Sequence, residues 1–265
     1  MEKKEKVILQ KAIFIPNVVM QSNEISQGAK LCYGTLLHFA GKDGNCFPSI
    51  KQIAETMNVT PRQVINYLHE LENARFIRIR RPKQVDKFMK RNNNYYFVFR
   101  KEFKKDPRVE KSGLKNLRAG RAFNPLGTVS GAFLPLSILA DKRLSAGAKL
   151  CLARLQQYDL RRGVRIFPSI DTLRKELGLK SKSQVYRYLK KLRKFKFVVK
   201  KKFRNLTRYF VRMTIFFKED AKNLMMFFTP DSHGEESKND KSRRIYMDSL
   251  EDGSHVNREP LPCEA

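Results

Sequence analysis

The sequence is short of acid, of cysteine and of histidine, and it has no long apolar run. Each shortage narrows what the chain can be. Aspartate and glutamate number 26 against 55 lysines and arginines. No clustered Asp/Glu set is arranged for metal-dependent chemistry, and Asp43, Asp159 and Asp171 fall singly at turn or cap positions. The 4 cysteines (32, 46, 151 and 263) form no CxxC pair, and there are only 4 histidines. That spacing excludes a zinc site and a disulfide framework. Cys32 and Cys151 are expected as small core residues in a reducing compartment. No window approaches the roughly 18 uninterrupted apolar residues of a membrane span. The opening MEKKEKVILQK has neither the h-region nor the cleavage site of a signal peptide. A GxxxxGK[ST] loop and a His-hydrophobe-His motif are also missing. The expectation is a cytoplasmic protein that is not an enzyme and carries no cofactor or metal.

What is present is positive charge, +29 in all with a pI near 10.2. It is unevenly placed: residues 229–265 hold 9 acidic and 5 basic residues, leaving a net +33 on residues 1–228. A field of that sign attracts phosphates and releases their counterions. Nucleic acid is the leading partner; ribosome association, a membrane surface or a merely solubilising charge are the bland alternatives. With 265 residues, 41% of them hydrophobic, the chain can form one large domain or two small ones, each with its own core.

The chain also repeats itself. SQGAKLC at 26–32 returns 119 residues later as SAGAKLC at 145–151, and FIP at 14–16 returns at the same offset as FLP. FPSI at 47–50 recurs at 120, QVINYLHELENARFI from Gln63 as QVYRYLKKLRKFKFV at 121, and NYYFVF from Asn94 as TRYFVR at 113. Offsets that drift and then jump once describe homologous units with changed loop lengths.

Each unit spells the same elements. A short extended segment precedes a helix starting near Ser26 or Ser145, broken at Gly41–Gly44 and at Arg162-Gly163. Ser49 with Gln52 forms a capping box for a second helix, and Ser169 starts its equivalent. After a tight turn, Thr60, Pro61 and Gln63 open a third helix, as Ser181 does in the second copy. Two β-rich runs follow in each copy.

Three helices and a β-hairpin make a winged helix-turn-helix, so the fold class is α+β, mostly α, with two tandem winged helix-turn-helix domains from an internal duplication. The motif run ending FI at Phe76-Ile77 resembles the helix-turn-helix domains of bacterial plasmid, phage and mobile-element proteins, a resemblance that covers roughly residues 14–100 and 133–217. The tandem architecture resembles their replication initiators. The domains are expected at 1–100 and 133–228, joined by a basic linker (101–132) and followed by a disordered tail (229–265). The linker's Pro and Gly residues argue against a continuous helix, and it could lie along a DNA backbone. YMDSL in the tail is a docking-motif candidate.

On a helical wheel Val64, Tyr67, Leu68 and Leu71 form an inward stripe. Arg62, Asn66, His69 and Asn73 lie opposite, with Gln63 and Glu70 beside them. Arginine pairs with guanine and Asn or Gln with adenine, so the base-contact candidates are Arg62, Gln63, Asn66 and His69. In copy two, Val185, Tyr188, Leu189 and Leu192 face in; Ser183, Gln184, Arg187 and Lys190 are the equivalent candidates. The first helix then leans more on bases and the second more on phosphates. The wings supply Arg78, Arg80, Arg81, Lys83 and Arg91 in copy one, and Lys200, Lys201, Lys202, Arg204 and Arg208 in copy two, for phosphates or a narrow minor groove. Lysine on a wing is also a common guard of a solvated edge strand.

The expected partner is double-stranded DNA rather than RNA, whose deep groove suits such helices poorly. The resemblance adds host replication proteins as partners and a nucleoid- or plasmid-associated location in a bacterial cytoplasm. The chain is expected to act as a monomer with two pseudo-equivalent heads, or a weak dimer, at two unequal half-sites. The implied function is replication initiation at origin repeats; a transcriptional regulator at an operator is the alternative.

Overall fold

A computed structural model describes residues 12–41, 44–82, 92–161, 168–203 and 206–211. The first copy runs β1 (Ala12–Pro16), α1 (Asn17–Gln21), α2 (Gln27–Ala40), β2 (Asn45–Cys46), α3 (Ile50–Met57), α4 (Pro61–Asn73), β3 (Ile77–Arg80) and β4 (Asn94–Phe97). The connection contains a 3-10 turn over Lys101–Lys105, α5 (Pro107–Lys111) and a second 3-10 turn over Leu114–Asn116. The second copy is β5 (Gly131–Pro135), α6 (Leu136–Leu139), α7 (Ala146–Arg161), α8 (Ile170–Glu176), α9 (Lys182–Lys194), β6 (Val198–Phe203) and β7 (Leu206–Val211). No described helix is long and apolar enough to cross a membrane.

The two copies are joined by their first strands. AIFIP in β1 is buried along its whole length, so both faces of the strand need cover that one copy alone lacks. It pairs antiparallel with β5, in the register Ala12 with Pro135, Phe14 with Phe133 and Pro16 with Gly131. Applying the 119-residue offset exchanges the ends of this ladder and leaves the Phe14–Phe133 pair in place. The two rings, 5.1 Å apart, therefore sit on a pseudo-two-fold axis. The other contacts between copies obey it: α2 packs on α7, α1 meets α8, and α3 meets α6. The interface has the isologous form of a symmetric dimer, in one covalent chain. Apolar residues of both copies accordingly make one continuous core.

This interface explains the repeated phrase. Ser26 caps α2, its hydroxyl accepting from Ala29 N–H. Glycine at 28 and 147 lets a tyrosine lie against the helix: a Cβ there would stand 2.3 Å from the Tyr67 ring and 2.2 Å from that of Tyr188. Ala29, Cys32, Ala148 and Cys151 are fully buried, and the described cysteines are free. Lys30 Nζ, also buried, donates to Met20 O in α1 and Leu177 O just past α8, both at 2.8 Å. Lys149 repeats half of this, donating to Leu139 O at the end of α6. The lysine thus satisfies carbonyls that a helix end leaves without partners.

Burial lowers the Lys30 pKa from 10.5 to about 7. Between those values the unfolded chain holds a proton that the fold releases, so raising the pH through this window stabilises the protein, and the gain is lost as pH falls toward 7. The buried cysteines, whose pKa burial raises, pull the other way above the ordinary thiol range, so the Lys30 contribution is read as a difference. In denaturation the wild type should gain on Lys30→Met by up to about 1.4 kcal/mol per pH unit mid-window. Equal slopes for the two proteins would refute the assignment.

The connection is basic outside but folded inside. Phe103 and Phe123 pack on Phe99 at 5.9 and 5.1 Å, and Val109 and Val129 are buried. Asp106 caps α5 through Arg108 N–H and accepts from both N–H and hydroxyl of Ser130. The stretch breaks into short turns, as its Pro and Gly content implies, yet it covers the end of the first copy's wing sheet. The tail at 229–265, including YMDSL, lies outside the described residues.

Candidate nucleic-acid interface

The third helix of each copy is held from behind and open in front. At the start of α4, Thr60 Oγ1 accepts from Gln63 N–H and Gln63 Oε1 accepts from Thr60 N–H, with Pro61 in the first turn. The preceding turn passes through Asn58 in the left-handed region at φ 53. Val64, Leu68 and Leu71 are buried, and Tyr67 fills the space beside Gly28. Arg62, Gln63, Asn66, His69 and Asn73 are exposed. The glutamates of α4 are drawn away from this face. Glu70 accepts from Ser26 N–H at 2.8 Å, at the N-terminus of α2 where an anion is favoured. Glu72 binds Arg81 in a two-pronged pair at 2.7 and 3.2 Å.

In α9, Val185, Leu189 and Leu192 are buried, and Ser183, Arg187 and Lys190 are exposed. Helix α9 contains six Lys/Arg and no acid, against one arginine and two engaged glutamates in α4. The start of α9 differs from its counterpart. Ser181 Oγ accepts from Ser183 N–H, and Gln184 N–H goes to Ser181 O, where the sequence suggested the logic of the first copy.

The structure brings Arg62, Asn66 and His69 onto one open face, and likewise Ser183, Arg187 and Lys190. It sets the glutamines apart. Gln63 uses its side-chain oxygen in the cap, leaving only its amide NH2 to give, and Gln184 is half-buried at the flank.

The first wing is a three-stranded sheet in the order β2-β4-β3; strand β2, which the sequence reading did not assign, is its third member. In β3 the residues alternate, with Ile77 and Ile79 in and Arg78 and Arg80 out. Arg78 donates to Gly120 O at 3.2 Å, and Arg81 is engaged with Glu72. Arg80 is exposed. Lys83, Arg91 and Arg204 lie outside the described residues. Lys200, Lys201, Lys202 and Arg208 lie in the β6–β7 ladder, where Lys201 pairs with Arg208; their side chains are outside the described set.

Two exposed residues on the reader faces escaped the sequence reading: Ile65 and Tyr186, at equivalent places in the repeat. Their signal was available, because the wheel puts neither in the apolar stripe. Among the described residues no group of three or more His, Cys, Asp or Glu could hold a metal ion.

Residues 23–77 and 142–198 each match the helix-turn-helix domain family. The chain carries two helix-turn-helix domains in tandem. The matched segments run from the approach to α2 to the start of β3, and from the approach to α7 to the start of β6. Both contain the exposed third helix, the element that such domains lay in a DNA major groove. A DNA-binding architecture is therefore present twice in this tandem helix-turn-helix protein. No curated protein and no solved structure matches the chain.

Proposed function

We propose that the protein binds one duplex site with both heads at once and initiates replication of a plasmid or mobile element. The observation that carries the reading is the symmetric β1–β5 ladder, which relates the two reader helices by a pseudo-dyad within one rigid core. A two-fold axis in the protein matches the local two-fold axis of a duplex. The two half-sites are then inverted with respect to each other and centred about 10 bp apart or a multiple of that. They are unequal in sequence because Asn66 and His69 become Arg187 and Lys190. The exposed lysines at 101, 104 and 105 add phosphate contacts along the connection. The initiator assignment rests on the likeness of a fused tandem of winged helices to initiators. The protein acts by binding and recruitment in the bacterial cytoplasm; three of its aspartates, Asp106, Asp141 and Asp171, serve caps or ion pairs.

Selection of bound sequences from a random duplex pool tests the binding geometry. The expected product is a pair of unequal inverted elements protected together; a single short element, or two in direct orientation, would refute it. Supplying the protein in trans to a plasmid that carries the selected site but no initiator tests the biological role. Plasmid maintenance is expected, and repression of a neighbouring promoter without maintenance would instead establish the regulator.

A further inference from the structure

Four large hydrophobic residues are exposed among those described: Phe39, Phe47, Ile65 and Tyr186. Single exposed apolar residues are ordinary. The last two, however, occupy one equivalent position, 121 residues apart, on the open faces of α4 and α9. Ile65 is 39% exposed and Tyr186 55%. Their helical neighbours at i−3, i+1 and i+4 are the exposed trios Arg62, Asn66, His69 and Ser183, Arg187, Lys190. Residues three and four apart share a helix face, so each apolar side chain sits inside a patch of hydrogen-bonding groups. Position 65 also falls early in α4, the part of a reader helix that reaches base edges.

We infer that Ile65 and Tyr186 determine specificity by seating thymine methyl groups in the major grooves of the two half-sites. This rests on the duplex-binding reading above. Isoleucine has no donor or acceptor to offer a base edge, and against a polar edge it would strand the base's own groups. The thymine C5-methyl is the apolar feature that the major groove presents. Contact there removes both surfaces from water while Arg62 and Asn66 address the polar edges of adjacent bases. At 186 the ring covers a methyl in the same way, and its hydroxyl stays free for a polar partner. The two half-sites then share a thymine at the matching step and differ around it.

The test uses the full-length protein and its selected duplex, with each thymine replaced in turn by deoxyuridine, which lacks only the methyl. One position in the first half-site should lose about 3- to 5-fold in affinity, the worth of one buried methyl. Ile65→Ala should erase that difference and Ile65→Val should keep it, with wild-type melting behaviour, since alanine is welcome at an exposed helix site. Tyr186→Ala should erase the equivalent loss in the second half-site. A flat uridine scan on a tightly bound duplex overturns this inference alone, as does a loss that persists in Ile65→Ala. A sensitivity confined to one half-site overturns the assignment of the other residue. Failure to select any duplex sequence overturns the duplex-binding reading and this one together.

Discussion

Glu176→Ala is expected to cost about 3–5 kcal/mol of stability, the usual penalty for leaving a buried charge without its partner. Arg154, only 6% exposed, donates through Nε to Glu176 at 2.8 Å and through Nη2 at 2.5 Å. Its Nη1 reaches Asn17 Oδ1 at 2.7 Å and also contacts Gln157. Tyr158 donates its hydroxyl to the same carboxylate at 2.6 Å, and Gln157 donates to Gly131 O in β5. Asn17 belongs to the first copy and the rest to the second, so the network ties α1, α7, α8 and the β1–β5 ladder together. Truncating Glu176 removes the charge partner while Arg154 stays enclosed. Replacing both, as Arg154→Met with Glu176→Leu, should recover part of the loss: an apolar pair of similar size needs no compensating charge, but Asn17, Gln157 and the Tyr158 hydroxyl lose their partners. Denaturant melts of the two variants decide the point. A Glu176→Ala loss below about 1 kcal/mol would mean that water reaches the guanidinium and that this junction is not tightly closed.

The second large effect separates the two reader helices. Arg62→Ala with Asn66→Ala on α4 should reduce the preference for the selected duplex over a scrambled one by roughly 100-fold, given 1–3 kcal/mol for each good base contact. Binding to the scrambled duplex should hardly change. Arg187→Ala with Lys190→Ala on α9 should weaken binding to both duplexes alike. It should also flatten the slope of log K against log salt by about 2, one for each phosphate released. All four side chains are exposed, so neither pair endangers the fold. Equal behaviour of the two double variants in a salt titration would refute the division of labour. The comparison keeps both copies intact, which matters because they share a core and neither is a removable module.

Much of the local structure was legible in the sequence because it depends on near neighbours. The capping residues Ser49, Thr60, Ser169 and Ser181 all begin helices where expected, since a cap is decided within one turn of chain. The stripe Val64, Leu68, Leu71 and its counterpart Val185, Leu189, Leu192 are buried for the same reason: helical period alone sets the face. The candidate site was legible more coarsely. The wheel found the open face, but it could not know that Gln63 would spend its oxygen on Thr60, or that Arg78 and Arg81 would turn to Gly120 O and Glu72. Those choices depend on which groups folding brings within reach. Ile65 was passed over because an apolar residue carries no pairing chemistry of its own; its meaning comes from exposure beside Arg62 and Asn66.

By itself the sequence determined that the protein is a duplicated, strongly cationic pair of helix-turn-helix units, because composition, repeat and periodicity are properties of the chain in any conformation. Only the tertiary structure decided how the two units face each other. The apolar strands β1 and β5 lie far apart in sequence and neither can be covered within its own copy. Their antiparallel pairing, closed by Lys30 and Arg154, turns a repeat in sequence into a two-fold axis in space.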